Sequence, residues 1–171
     1  MVILSSSGLM YKNMFRVGFG KDIHRLVRER PLILGGVKIN FSYGLDGHSD
    51  ADVVYHALTD ALLGALAVGD IGTLFPNTDV KYKDCDSSLF VKEAHRLVQE
   101  ANYRIGNVDI LIEAEEPILR PYIKKMQLNI ARLLMTDVTN VSLKAGTREQ
   151  MDAVGKKEAI EATAVVLLEK E

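Results

Sequence analysis

Two short segments, Lys21-Asp22-Ile23-His24 and Gly47-His48-Ser49-Asp50-Ala51-Asp52-Val53-Val54-Tyr55-His56, hold three of the four histidines of a 171-residue chain. On a strand, positions i and i+2 face the same way, so Asp22 and His24 can address one point. His56, on a helix that follows, is the natural third ligand. A carboxylate and two imidazoles with one position left open make a catalytic rather than a structural zinc arrangement. An Asp-x-His pair alone is weak, since such pairs also bond to nearby backbone. The acid-rich stretch from His48 to His56 on a capped helix strengthens the metal reading. Cys85 is the only cysteine, which excludes an internal disulfide and a thiolate zinc cluster. Any metal is then held by nitrogen and oxygen, a donor set open to zinc, manganese or cobalt.

Other groups suit phosphate and hydroxyl chemistry. His48 precedes Ser49, a good N-cap, and a helix start there offers free amides and a positive dipole end. His48 and the Ser49 amide or hydroxyl could then donate to a phosphate, or His48 is a surface loop residue. Lys144-Ala145-Gly146-Thr147-Arg148-Glu149 follows an apolar strand. Its hydroxyl, cation and carboxylate suit a phosphate and its magnesium, or it is an exposed turn. Asp70 and the stretch Phe75-Pro76-Asn77-Thr78-Asp79 either stabilise turns or bind the hydroxyls of a polyol. His95, beside Lys92, Glu93 and Arg96, is expected to be solvated.

The elements that must position these groups follow from patterning. Phe15 to Phe19 predicts a short strand leading into an Asp22/His24 turn. Pro31 to Leu34, Gly35-Gly36 and Val37 to Phe41 predict a hairpin, followed by a loop from Ser42 to Gly47. The next helix is expected to start at Ser49, with Asp52 completing the cap. Its apolar stripe is Val53, Ala57, Leu58, Ala61, Leu62 and Ala65. Asp52, His56 and Asp60 share a face, and Gly69 to Gly72 ends the helix. A second helix spans about Ser87 to Ala101, with Leu89, Phe90, Ala94, Leu97, Val98 and Ala101 inward. A third runs from Pro121 to about Leu134, with Ile123, Met126, Ile130, Leu133 and Leu134 inward. Asn107 to Ala114, Val141 to Ala145 and Thr163 to Leu168 are strands, and 158–162 is either strand or helical turn.

With no linker or repeat, this is one α/β domain with mixed strands, from residue 15 to 171. Residues 1–14 are expected to be a flexible leader or an upstream start. Acids (23) and bases (21) nearly balance, so the basic field that nucleic-acid binding needs is missing. No apolar run reaches membrane-spanning length.

From Phe15 onward the chain resembles the 2-C-methyl-D-erythritol 2,4-cyclodiphosphate synthases of the non-mevalonate isoprenoid pathway. The resemblance rests on FRVGFGKDIHRL, LILGGVKI, GLDGHSDADVVYHALTDALLGALAVGDIGTLFPNTD, YRIGNVDILIEAEEP and VSLKAGTRE. It implies a small mixed sheet backed by helices on one side. It implies a homotrimer with sheets facing the threefold axis, active sites between neighbours, and a bacterial cytoplasmic location. The implied reaction is attack of a substrate's 2-phosphate on the β-phosphate of its own cytidine diphosphate, releasing CMP.

Carried over, Asp22, His24 and His56 are zinc ligands, and Asp22 and His24 also adjoin substrate. His48 and Ser49 hold the 2-phosphate. Thr147 lies near the transferring phosphate within the turn Lys144, Ala145, Gly146, Thr147, Arg148, and Glu149 helps hold magnesium, or manganese, bridging the diphosphate. Asp70, Ile71, Gly72, Phe75, Pro76, Asn77, Thr78 and Asp79 form the methylerythritol pocket. Ala114, Glu115, Glu116, Pro117, Ile118, Leu119 and Arg120 match the cytosine loop.

The chain departs from the family pattern at Ile118, Gly146, Arg148, Asp152, Ala153 and Lys156. Lys156 keeps a charge without the guanidinium fork, and Arg148 is expected to supply a replacement cation near the phosphates. Two rival readings are a metal-dependent phosphohydrolase and a non-catalytic binding trimer.

Overall fold

The computed structural model describes residues 14–76 and 78–171. The expected leader at 1–14, apart from Met14, and Asn77 lie outside the described residues.

Strand β1 (Phe15–Arg28) runs on through the predicted turn, so Asp22 and His24 sit in mid-strand. The reason is its partner. β7 (Ala159–Lys170) pairs with it antiparallel from Phe15↔Glu169 to Arg25↔Ala159, and this long ladder keeps the chain extended through the metal-site residues. β2 (Leu32–Leu34) and β3 (Val37–Ile39) form the predicted hairpin. Gly35 and Gly36 take φ of 55° and 68°, as a two-residue primed turn requires. β4 (Tyr43–Leu45) is a short strand inside the predicted loop, paired with the end of β1. β5 (Tyr103–Glu113) and β6 (Val141–Gly146) pair in parallel, and β5 pairs antiparallel with β7. Among the described residues this gives a mixed five-stranded sheet, ordered β4-β1-β7-β5-β6. The small side chains of Ala159, Ala162 and Ala164 disguise the first half of β7, which is strand throughout.

Helix α1 (Val53–Leu66) packs on β1 and β7. It starts at Val53 rather than Ser49, because the buried Asp52 is the N-cap. Asp52 Oδ1 accepts from Val54 N at 3.1 Å and Tyr55 N at 3.2 Å. The same carboxylate accepts from the Gly35 and Gly36 amides of the hairpin at 2.9 and 2.7 Å. Burial pushes Asp52 up to about 7 against these amide donors, which favour its ionised form. Asp52→Ala would remove the cap and orphan the two hairpin amides. It is expected to cost about 3 kcal/mol or more, read by urea unfolding. A loss below about 1 kcal/mol would mean that the amides find other partners.

Helix α1 ends at Leu66 with Ala67 left-handed, ahead of the predicted glycines. Asp70 then caps α2 (Ile71–Leu74). Helix α3 (Ser88–Glu100) packs on α1 and β5, and α4 (Ile123–Leu133) on β6. Val91, Ala94, His95 and Val98 form the buried face of α3, with Phe90 buried beside them. Leu89, predicted inward, points out at 50% exposure. His95, predicted solvated, is buried, and desolvation lowers its pKa. Helix α5 (Asp152–Gly155) precedes β7.

The helices cover one face of the sheet, against Val108, Ile110, Ile112, Ala162, Ala164 and Val166. The other face exposes Phe15, Val17, Phe19, Ile23 and Val165.

Candidate functional site

Every second residue of β1 faces α1. Gly18 and Gly20 come first, letting the helix approach closely, and Asp22 and His24 follow on the same side. His56, one turn into α1, meets them. Asp22 Oδ2 lies 2.9 Å from His24 Nε2 and 3.0 Å from His56 Nδ1, and the two ring nitrogens are 3.2 Å apart. Three donor atoms thus converge within 4.8 Å.

His24 Nδ1 contacts the Asp46 carbonyl. That acceptor keeps a proton on Nδ1 and makes Nε2, turned into the cluster, the nitrogen that can bind a cation in place of its own proton. Burial alone would raise the Asp22 carboxyl, but hydrogen bonds from both histidines outweigh it and hold it well below the usual carboxylate range. Burial disfavours the His24 cation, yet the Asp22 carboxylate prevails and raises its pKa above 6.5. The two imidazole nitrogens and one carboxylate oxygen fit a divalent cation such as zinc.

A cation must displace the His24 proton. Because that pKa is raised, metal affinity should fall as pH drops and should already be weakening above 6.5. Chelator-competition titrations across neutral pH check this. Affinity independent of pH there would remove His24 from the ligand set.

The cluster opens onto a cleft of about 550 Å³ lined by Asp22, His24, His48, Ser49, His56, Ile71, Gly72, Phe75, Pro76, Thr78, Tyr82 and Phe90. Phe75, Tyr82 and Phe90 form an aromatic wall, with the Phe75 and Phe90 rings 4.7 Å apart. Tyr82 was not foreseen. Phe90 was read only as core, and nothing in its helical spacing distinguishes it from core.

Several expected contributors are already engaged. The Ser49 hydroxyl is buried against His56 Nε2 at 3.0 Å and accepts from Ala51 N. It turns inward, and the free helix-start amides expected beside it are taken by Asp52. Asp60 does not join the His56 face chemistry but accepts from Ile71 N at 2.7 Å. Asp70 accepts from the Thr73 amide and hydroxyl, both at 2.7 Å. Asp79 pairs with Lys81. Both acids therefore stabilise turns at the edge of the cleft.

The remaining expected residues gather elsewhere. A second cleft, of about 600 Å³, is lined by Ala114, Glu115, Pro117, Ile118, Leu119 and Arg120, by Lys144, Ala145, Gly146 and Thr147, and by Ile123, Lys124 and Gln127 of α4. The α4 residues were read only as helix. Strand β7 separates β1 from β5 and β6, so at strand spacings of about 4.8 Å the two clefts stand roughly 10–15 Å apart. Thr147 Oγ1 donates to Glu149 at 2.6 Å. Lys144 pairs with Asp109. Glu116, Glu149, Arg148 and Lys156 line neither cleft. Arg148, expected as a replacement cation near the phosphates, has its guanidinium bound to Glu113 at 2.9 Å and Asp152 at 2.6 Å. Glu115 accepts from the amides of Arg148 and Gln150, which sets the shape of this turn.

Comparison with known proteins agrees with this fold. The 2-C-methyl-D-erythritol 2,4-cyclodiphosphate synthase of Shouchella clausii is 52% identical over 157 residues, 92% of this chain and 99% of that protein. The enzyme of the same name from Carboxydothermus hydrogenoformans is 50% identical over 92% of this chain and 96% of its own length. Among solved structures, IspF of Plasmodium falciparum in a CDP complex superposes with a TM-score of 0.82, at 40% identity, covering 93% of this chain and 98% of that one. The bifunctional IspDF of Campylobacter jejuni superposes with a TM-score of 0.88 at 40% identity, covering 92% of this chain and 42% of the longer one. The family model for YgbB matches residues 15–169, all of the sheet but the last residue of β7 and the helices that carry both clefts, and this chain belongs to the YgbB family.

Proposed function

We propose that this chain is a 2-C-methyl-D-erythritol 2,4-cyclodiphosphate synthase. It converts 4-diphosphocytidyl-2-C-methyl-D-erythritol 2-phosphate to the cyclic diphosphate and CMP. The observation that carries the reading is the Asp22, His24 and His56 donor cluster at the mouth of an aromatic-walled cleft. In the reaction a 2-phosphate oxygen forms a bond to the β-phosphorus. The bond from that phosphorus to the oxygen bridging the α-phosphate breaks, and CMP leaves with the electron pair. Little covalent help is needed; the work is to hold two anionic groups in line and offset their repulsion.

Asp22, His24 and His56 would hold zinc, or manganese or cobalt, which when bound supplies Lewis-acid charge to a phosphate oxygen. His48 at the cleft wall donates to the 2-phosphate. Ile71, Gly72, Phe75, Pro76 and Thr78 enclose the methylerythritol portion and exclude water. The 114–120 loop reads cytosine through its backbone. Thr147 orients the transferring phosphate, and Glu149 would help hold magnesium, or manganese, which when bound offsets the charge of the diphosphate.

Because the two clefts are separate within one chain, we assign the complete site to the junction of two copies in a homotrimer. The apolar sheet face with Phe15, Val17, Phe19, Ile23 and Val165 supports that assembly, since apolar patches of this kind mark interfaces. No described helix is long and apolar enough to cross a membrane, and a cytoplasmic location belongs to the same reading.

A phosphorus NMR time course with zinc, magnesium and the substrate tests the proposal. Cyclic diphosphate with equimolar CMP is expected. Free phosphate would make the protein a phosphohydrolase, and no reaction with metal bound would make it a binding protein.

A further inference from the structure

Behind the metal-facing edge of His56 lies a buried chain of polar groups that the mechanism above does not use. His56 Nε2 is 2.9 Å from Ser87 Oγ and 3.0 Å from Ser49 Oγ, and the two hydroxyl oxygens are 2.9 Å apart. The Ser87 hydroxyl donates to Asp50 Oδ1 at 2.5 Å, and the Ser87 amide donates to Asp50 Oδ2 at 3.2 Å. Ser87 is fully buried and Ser49 nearly so. Backbone bonds clip the two segments together, from Asp50 N to Cys85 O and from Asp84 N to His48 O.

The protons can be counted. A serine has one hydroxyl hydrogen, and that of Ser87 is given to the Asp50 carboxylate. The Ser87 oxygen therefore faces His56 Nε2 with a lone pair. At 2.9 Å two lone pairs would repel, so the contact is favourable only when Nε2 carries a hydrogen. With a cation in the cluster in place of the Nδ1 proton that Asp22 accepts, an imidazole protonated at Nε2 presents its lone pair from Nδ1, the atom turned toward Asp22 and His24.

We propose that Asp50, acting through Ser87, is a positioning residue that locks His56 as an Nδ1 metal ligand; this rests on the metal reading of the cluster. His24 gets the same service from a backbone carbonyl, that of Asp46. His56 gets it from a side-chain carboxylate 37 residues away from Ser87 in sequence, and Ser87 sits at the start of the helix whose Phe90 walls the cleft. The metal site and that wall are thereby one mechanical unit. Partners of this kind orient metal ligands, and their loss typically costs about tenfold to a hundredfold in affinity.

The test is zinc affinity by chelator competition in the purified full chain, for Ser87→Ala, Asp50→Asn, the double variant and Ser87→Thr. Each single loss should weaken zinc binding by about tenfold to a hundredfold. The double variant should be no weaker than the worse single one, because both act on one ring. Ser87→Thr keeps the oxygen and should retain native affinity. The visible ligand-field spectrum of the cobalt-loaded Ser87→Ala protein should differ from native, which general loosening of the fold would not produce. Native zinc affinity in both single variants, additive losses in the double variant, or an unchanged cobalt spectrum would overturn the proposal. If Ser87→Ala does not fold, the comparison of Asp50→Asn with Ser87→Thr decides by the same criteria. His56→Ala is the control. If it binds zinc like the native protein, the ligand assignment fails rather than the relay.

Discussion

His56→Ala is expected to strip most of the zinc and to lower turnover by at least about a thousandfold, while leaving the chain folded. The variant leaves two donors, Asp22 and His24, on one strand. Those two cannot enclose an ion from more than one side. The fold should survive because the hydroxyls behind the ring stay satisfied. Ser49 and Ser87 already lie 2.9 Å apart, and Ser87 keeps its bond to Asp50. The ring packs on Phe90 with centroids 6.0 Å apart, so its loss opens space next to the cleft rather than deep in the core. A stability loss of about 1–2 kcal/mol is expected. Metal analysis after dialysis, together with the phosphorus NMR assay, reads both effects. Full zinc occupancy would refute the ligand assignment.

Gly20→Ala should have the larger effect on the fold. A Cβ there would lie 2.0 Å from the Ala57 carbonyl oxygen and 2.6 Å from the Ala61 amide nitrogen. Both are backbone atoms of α1, which no rotamer change can move. At Gly18 the Ala61 carbonyl oxygen would be 1.8 Å away. Either α1 lifts from β1 or the strand buckles. Overpacking usually costs about 1–3 kcal/mol, and a clash with two backbone groups places this case at or above the upper end. For a domain of this size about 3 kcal/mol lowers Tm by roughly 6–12 °C. Lifting α1 also draws His56 away from Asp22, so zinc affinity should fall together with Tm. Gly146→Ala is the counter-case, since nothing lies within 4 Å of a Cβ there. A Gly20→Ala protein with native Tm would mean that α1 and β1 are not held as closely as described.

Those two glycines show where reading the sequence stops. Their type was visible in FRVGFGKDIHRL, but that they admit a helix was not, because the helix lies about 40 residues downstream. The Asp22 and His24 pair was legible, since strand alternation alone puts them on one side. His56 was legible as a companion from its place after the acidic cap. The Gly35-Gly36 hairpin was legible because its φ values are ones that glycine adopts freely. His95 was misread. Charged neighbours in sequence suggested solvent, yet it stands with Val91, Ala94 and Val98 on one helical face. Arg148 was read by its charge, but its partners, Glu113 and Asp152, come from β5 and α5.

The local rules of alternation, capping and turn chemistry thus determined which residues share a face and which could bind a metal. They operate over a few residues, where backbone geometry alone sets direction. Tertiary structure decided which faces meet. It turned Ser49 inward, gave Asp52 rather than Ser49 the cap, and joined Asp50, Ser87 and His56 in one buried chain. It also put the second cleft across β7 from the metal cluster. Each of these depends on strand order and helix packing between distant segments, where burial and close approach select among partners that local sequence leaves equivalent.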